Sequence, residues 1–155
     1  MAKLTVESLV EYRKDLNSKT EAFAKNKGRE VMVCGGTGCE SNKGDELYQN
    51  LISESDKAGI SSKVDIKKTG CMGFCEKGPI VKVFPENSFY VDLTPDHAEE
   101  IVKEHLVDGC ECRRLMLDGE ESESTDFEEN DFFKKQVRIV LRNSGEIDPE
   151  NIDEY

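Results

Sequence analysis

Apolar positions along the chain come in short groups separated by glycines and polar turns, and their spacing predicts alternating strands and helices. Leu4, Val6, Leu9, Val10, Leu16 and Phe23 recur at helical spacing, so residues from about 5 to 27 are expected to form a helix that stops at Gly28 and packs on the domain beyond it. "EVMVC" (30–34) reads as a short buried strand ending on Cys34. Ser41 or Asn42 is expected to cap a helix over about 44 to 58, with Leu47, Leu51 and Ile52 facing inward and Gly59 closing it. "SKVDIKKTGC" (62–71) alternates like a strand and again ends on a cysteine. "PIVKVF" (79–84) and "SFYVDL" (88–93), joined by "PEN", form a hairpin pattern. Thr94 is then expected to cap a last helix with Pro95 at its first position and Ile101, Val102 and Leu106 on its inner face. The order β-α-β-β-β-α over residues 30–107 suits an α/β sandwich with a small mixed sheet.

Beyond residue 117 the pattern changes. "DGEESESTDFEEND" (118–131) holds eight acidic residues and no basic one. Such a block repels itself and buries no apolar area, so 118–135 is expected to be an acidic, partly disordered linker. After it, "VRIVL" looks like a strand and "DPENIDEY" like a helix start with Pro149 first, and the chain ends within that element. The reading is therefore an N-terminal helix (1–27), a central domain (28–117), the linker, and in 136–155 the opening of a further domain of a longer polypeptide.

Composition agrees: 35% of residues are charged, 36% are hydrophobic and there is no tryptophan, so part of the chain is expected to lie outside a packed core. A formal charge of −12 and the lack of a Lys/Arg stripe exclude nucleic acid as a partner. The segment "MAKLTVESLVEYRKDL" has no uninterrupted apolar core, so it is not a secretory signal. No run approaches the roughly 20 apolar residues of a membrane span. The expectation is a cytoplasmic protein with no direct membrane insertion, where six cysteines point to metal or redox chemistry rather than structural disulfides.

Cys34 and Cys39 are spaced C-x4-C, and Cys71 and Cys75 are spaced C-x3-C. Each pair follows an expected strand and sits in a glycine-rich loop, "CGGTGC" and "TGCMGFCEKG". If those two strands are neighbours, four thiols meet at one sheet edge, as a four-thiolate metal site requires. Under a cluster reading, Gly35, Gly36, Gly38, Gly70 and Gly73 let the backbone approach the sulfurs and donate N–H bonds. The helix beginning near residue 44 would turn its positive end toward them. Zinc held by four cysteines remains open, although structural zinc sites favour C-x2-C knuckles. A thioredoxin-type dithiol would need C-x-x-C, and a plant-type ferredoxin would need cysteine where Asn42 stands.

The spacing C-x4-C, 31 residues, C-x3-C, with "GTGC" and "GCMGFCEKGP", resembles the thioredoxin-like [2Fe-2S] ferredoxins over about residues 28–107. The resemblance implies a thioredoxin-like sandwich and a [2Fe-2S] cluster with Cys34, Cys39, Cys71 and Cys75 as its ligands. Gly35, Gly36, Thr37, Gly38, Met72, Gly73 and Phe74 would supply the backbone around it. The family's domains occur alone or as parts of NADH dehydrogenases and NAD(P)-linked hydrogenases. "KKQVRIVLRNSGEIDPENIDEY" is similar to the opening of their FMN- and NADH-binding flavoprotein domain. That implies a one-electron carrier whose partners are the flavin domain of a parent chain and other iron–sulfur subunits. FMN and NADH would bind only downstream, since no glycine-rich loop for either occurs here, and the segment alone is expected to turn over no substrate. Cys110 and Cys112 fall outside the pattern and read as incidental, surface or half-buried, or as a spare dithiol. His97 and His105 read as solvated helix residues. Phe74 either shields the cluster or packs in the core.

Overall fold

Val31, Met32, Val33 and Cys34 are all buried because β1 (Arg29–Cys34) runs through the middle of the sheet. The structure is a computed structural model that describes residues 5–25, 28–117, 119 and 131–152. β2 (Val64–Thr69) pairs parallel to β1, from Arg29 opposite Val64 to Cys34 opposite Thr69. β3 (Val81–Phe84) pairs antiparallel to the other side of β1 and returns through a hairpin as β4 (Ser88–Tyr90). The sheet order is β2-β1-β3-β4, a mixed four-stranded sheet of the kind the element order implies.

The two faces of β1 carry different work. Val31 and Val33 join Leu47 and Leu51 of α3 (Gly44–Lys57), with Val81, Val83 and Tyr90, in one apolar core. Ile101, Val102 and Leu106 complete it from α4, which starts at His97–Glu100 and widens into a π-helical stretch over Ile101–Val107. Burying each such aliphatic side chain stabilises the fold by about 1.5–3 kcal/mol. Met32 and Cys34 point to the opposite face, into a second cluster with Cys39, Met72, Ile80, Phe89 and Phe133. The face of the sheet that carries Cys34 is thus separate from the face that α3 and α4 cover.

Several local expectations are corrected. The loop between Cys34 and Cys39 is itself partly helical, as α2 (Thr37–Ser41). Ser41 therefore ends one helix rather than capping the next, and α3 starts after Lys43, whose φ is 67° and which gives no side-chain cap. Gly44 is needed at that junction because a Cβ there would lie 2.8 Å from the Cys39 carbonyl oxygen. Ile52 is only half-buried. Thr94 offers no side-chain cap to α4; its backbone N–H donates to His97 Nδ1 at 3.1 Å, and the helix begins two residues beyond Pro95.

His105 is not solvated. It is fully buried and its Nδ1 lies 2.7 Å from the Tyr90 hydroxyl, which accepts the Cys112 N–H at 3.3 Å. His97 is half-buried. The helix α1 (Val6–Lys25) exists; Val6, Leu9 and Val10 on its expected apolar face are exposed at 73%, 51% and 50%, while Leu16 is half-buried. Leu4 and the Phe23 side chain lie outside the described residues.

The acidic linker and its expected disorder fall largely outside the described residues. At its end lies the short helix α5 (Asp131–Lys134). "VRIVL" is not a strand: residues 139–147 run as turns and bends, and Pro149 opens a turn rather than a helix.

Candidate metal centre

β1 and β2 lie side by side and parallel, so the residues that leave their C-terminal ends, Cys34 and Cys71, emerge on one edge. All six cysteines are free thiols. The Cys39 and Cys71 thiols are near enough to Cys34 to act on its electrostatics, and the Cys71 and Cys75 sulfurs lie 3.6 Å apart. The four cysteines from two distant loops thus meet in a line 39–34–71–75. Cys34 and Cys39 are buried, Cys71 is half-buried and Cys75 is exposed, so the group reaches from the core to the surface.

Among the described residues no three cysteine sulfurs lie within 4.8 Å of one another.

Electrostatics around the sulfurs favour thiolate at Cys34. Donation from the Cys39 thiol is the largest effect on Cys34, with the Met72 and Gly36 amides and Cys71 adding to it; against burial, they push its pKa down to about 6. Cys39 moves the other way, first because it donates to Cys34 and second because it is buried, although the Ile80 amide favours its thiolate. Burial raises Cys71, opposed by the Gly73 amide. Backbone amides aimed at sulfur are what an anionic cluster needs, and metal binding at such thiols releases their protons.

The glycines show how tightly the cradle closes. A Cβ on Gly36 would sit 3.1 Å from the Cys71 sulfur, and one on Gly38 3.9 Å from that of Cys75. Gly78 leaves even less room, since its Cβ would lie 2.6 Å from the Cys39 sulfur. Gly35 faces the Thr69 carbonyl rather than a sulfur, at 2.9 Å for an added Cβ, while its N–H donates to that oxygen. Gly70 faces Ser144. Gly73 has a φ of +86°, the left-handed region that glycine permits. Thr37 opens α2 and is exposed, and Met72 is buried beneath the loop.

A match to known proteins decides what kind of centre this is. The family model for thioredoxin-like [2Fe-2S] ferredoxin fits residues 4–106. The chain belongs to the thioredoxin-like [2Fe-2S] ferredoxin family. It is 39% identical over 79 residues to a 2Fe-2S ferredoxin of Clostridium pasteurianum, an alignment covering 51% of this chain and 78% of that protein. A solved thioredoxin-like [2Fe-2S] ferredoxin from Aquifex aeolicus superposes with a TM-score of 0.54 at 28% identity, over 58% of this chain and 90% of that one. The wild-type crystal structure from the same organism gives 0.55 at 28% identity, over 59% and 97%. The family supplies the cofactor, a [2Fe-2S] cluster, and the general function of electron carriage. The residues present fit that group: four free thiols, amides facing three of them, and glycines where a Cβ would strike sulfur.

Two contributors escape sequence reasoning. Gly78 was legible only as the glycine of "EKGP", and the Ile80 amide carries no side-chain signal at all. Phe74 is half-buried and stacks on Phe132 with centroids 4.5 Å apart, also meeting Phe133 edge-on at 5.9 Å. Cys110 and Cys112 do not join the centre. Cys110 is exposed, but Cys112 is buried against the Glu100 carbonyl, and burial followed by Glu104 pushes its thiol up to about 12. Glu100, Glu104 and Cys112 are the one set of three such donors within 4.8 Å of one another among the described residues, and Glu100 is already paired with Arg114.

Proposed function

We propose that the chain is the electron-carrying module of an NAD(P)H-linked oxidoreductase, its cluster held by Cys34, Cys39, Cys71 and Cys75. The observation that carries the ligand assignment is the meeting of those four sulfurs at the shared end of β1 and β2. When bound, the cluster supplies reversible one-electron chemistry. The chain's own residues do the rest. The Gly36, Met72, Gly73 and Ile80 amides stabilise negative charge on sulfur, Met72 and Ile80 keep water from the buried end, and Cys75 brings the other end to the surface where a partner can approach.

The partners we propose are the flavin domain of a parent chain and other iron–sulfur subunits, in an NADH dehydrogenase or NAD(P)-linked hydrogenase of the cytoplasm. The likeness of residues 136–155 to a flavoprotein opening supports this. So does the exposure of Val137, Ile139, Val140 and Ile152, apolar side chains that a neighbouring domain would bury. No helix among the described residues is long and apolar enough to cross a membrane.

Serine at each of the four proposed ligands tests the site. Each change is expected to abolish or alter the paramagnetic resonance of the dithionite-reduced protein, whereas alanine at Cys110 and Cys112 should leave it intact. An unchanged spectrum in any of the four serine variants would remove that residue from the ligand set. The parent complex is tested by bleaching: NADH alone should leave the visible bands of this chain untouched, and NADH with the flavin domain should bleach them. Bleaching by NADH alone would contradict the assignment.

A further inference from the structure

The loop from Thr69 to Phe74 leads into the second cysteine pair, and residues 132–147 are strapped along it. Thr69 Oγ1 donates to the Ile147 carbonyl at 2.8 Å and accepts the Gly145 N–H at 2.9 Å. Lys82, only 2% exposed, meets Glu146 at 2.6 Å across the same face. Phe133 is buried edge-on against Phe89 at 5.6 Å, and Phe132 covers Phe74. Arg138, whose guanidinium lies 5.9 Å from the Phe133 ring centre, donates from Nη2 to the Met72 carbonyl at 2.8 Å. All of these strap residues lie past the family match, which ends at residue 106.

The Met72 carbonyl and the Gly73 N–H are the two ends of one peptide group. The Gly73 amide faces the Cys71 sulfur. A guanidinium on the carbonyl polarises that group and strengthens its N–H as a donor. It also sets a full positive charge one peptide away from a sulfur. Reduction adds negative charge to the centre that Cys71 helps to hold, and both effects stabilise the reduced state.

We infer that Arg138 raises the reduction potential of the centre through the Met72–Gly73 peptide, and that docking of the 132–147 strap on the cysteine loop is what places it there. This rests on the cluster-binding reading above. Arg138 acts as a positioning residue, touching the loop and not the reacting atoms. A change of partner that lifts the strap would therefore lower the potential of the same centre without altering its ligands.

The test is a redox titration of the full chain, followed by its visible bands. Arg138→Gln is expected to weaken one-electron reduction by about tenfold, about 59 mV. Arg138→Lys, which keeps the charge, should recover part of the shift. Phe132→Ala loosens the strap without touching Arg138 and should move the potential in the same direction, which keeps the idea testable if Arg138→Gln loads poorly. Arg142→Gln removes an exposed charge from the same segment and should leave the potential in place. An unmoved potential in Arg138→Gln, or an equal shift in Arg142→Gln, would overturn the inference while the cluster assignment stands. The unsubstituted chain showing no visible bands would overturn both.

Discussion

His105 sits on a helix rich in charge, yet the fold draws it wholly inside. The Tyr90 hydroxyl accepts the Cys112 N–H and shares a second hydrogen bond with His105 Nδ1. His105 Nε2 lies 3.7 Å from the Glu86 carboxylate. Burial holds the His105 pKa below its ordinary value, outweighing the pull of Glu86, and Arg29 acts in the same direction as burial. The folded state thus takes up this proton less readily than the unfolded chain. The resulting stability is present above about pH 6.5, the ordinary histidine value, and is lost as pH falls below it. Melting temperature should fall between about pH 6.5 and pH 5, before most carboxylates titrate. His105→Leu should remove that slope and cost about 1–3 kcal/mol at neutral pH by stranding the Tyr90 hydroxyl. A slope identical in the variant would show that another group is responsible.

At the scale of elements, β1 and β3 were legible as short apolar runs and β2 by its alternation. "EVMVC" and "PIVKVF" are buried on both faces and needed no alternation to be seen. The inner faces of α3 and α4 followed from Leu47, Leu51, Ile101, Val102 and Leu106. What stayed hidden were elements whose conformation is set by neighbours. α2 is helical although it contains Gly38, because packing against the second cysteine loop outweighs propensity there. "VRIVL" has strand composition but finds no partner strand; around it the backbone instead turns to reach Thr69 and Met72. The apolar face of α1 is legible as a face, but periodicity does not say whether anything covers it, and Val6, Leu9 and Val10 are left exposed.

Across the whole molecule, cysteine spacing fixed which residues could hold the centre, while their meeting depends on β1 and β2 being adjacent and parallel, a non-local pairing that spacing does not encode. The same holds for the strap, since Arg138 lies 66 residues beyond the Met72 carbonyl it reaches. A formal charge of −12 opposes the approach of polyanions. The most direct measurement on the central claim is iron, zinc and acid-labile sulfide in the purified chain, read with its visible spectrum. About two irons and two sulfides per chain, with charge-transfer bands that vanish in the four-serine variant, are expected of a [2Fe-2S] carrier. One zinc per chain with no sulfide and no colour would contradict it.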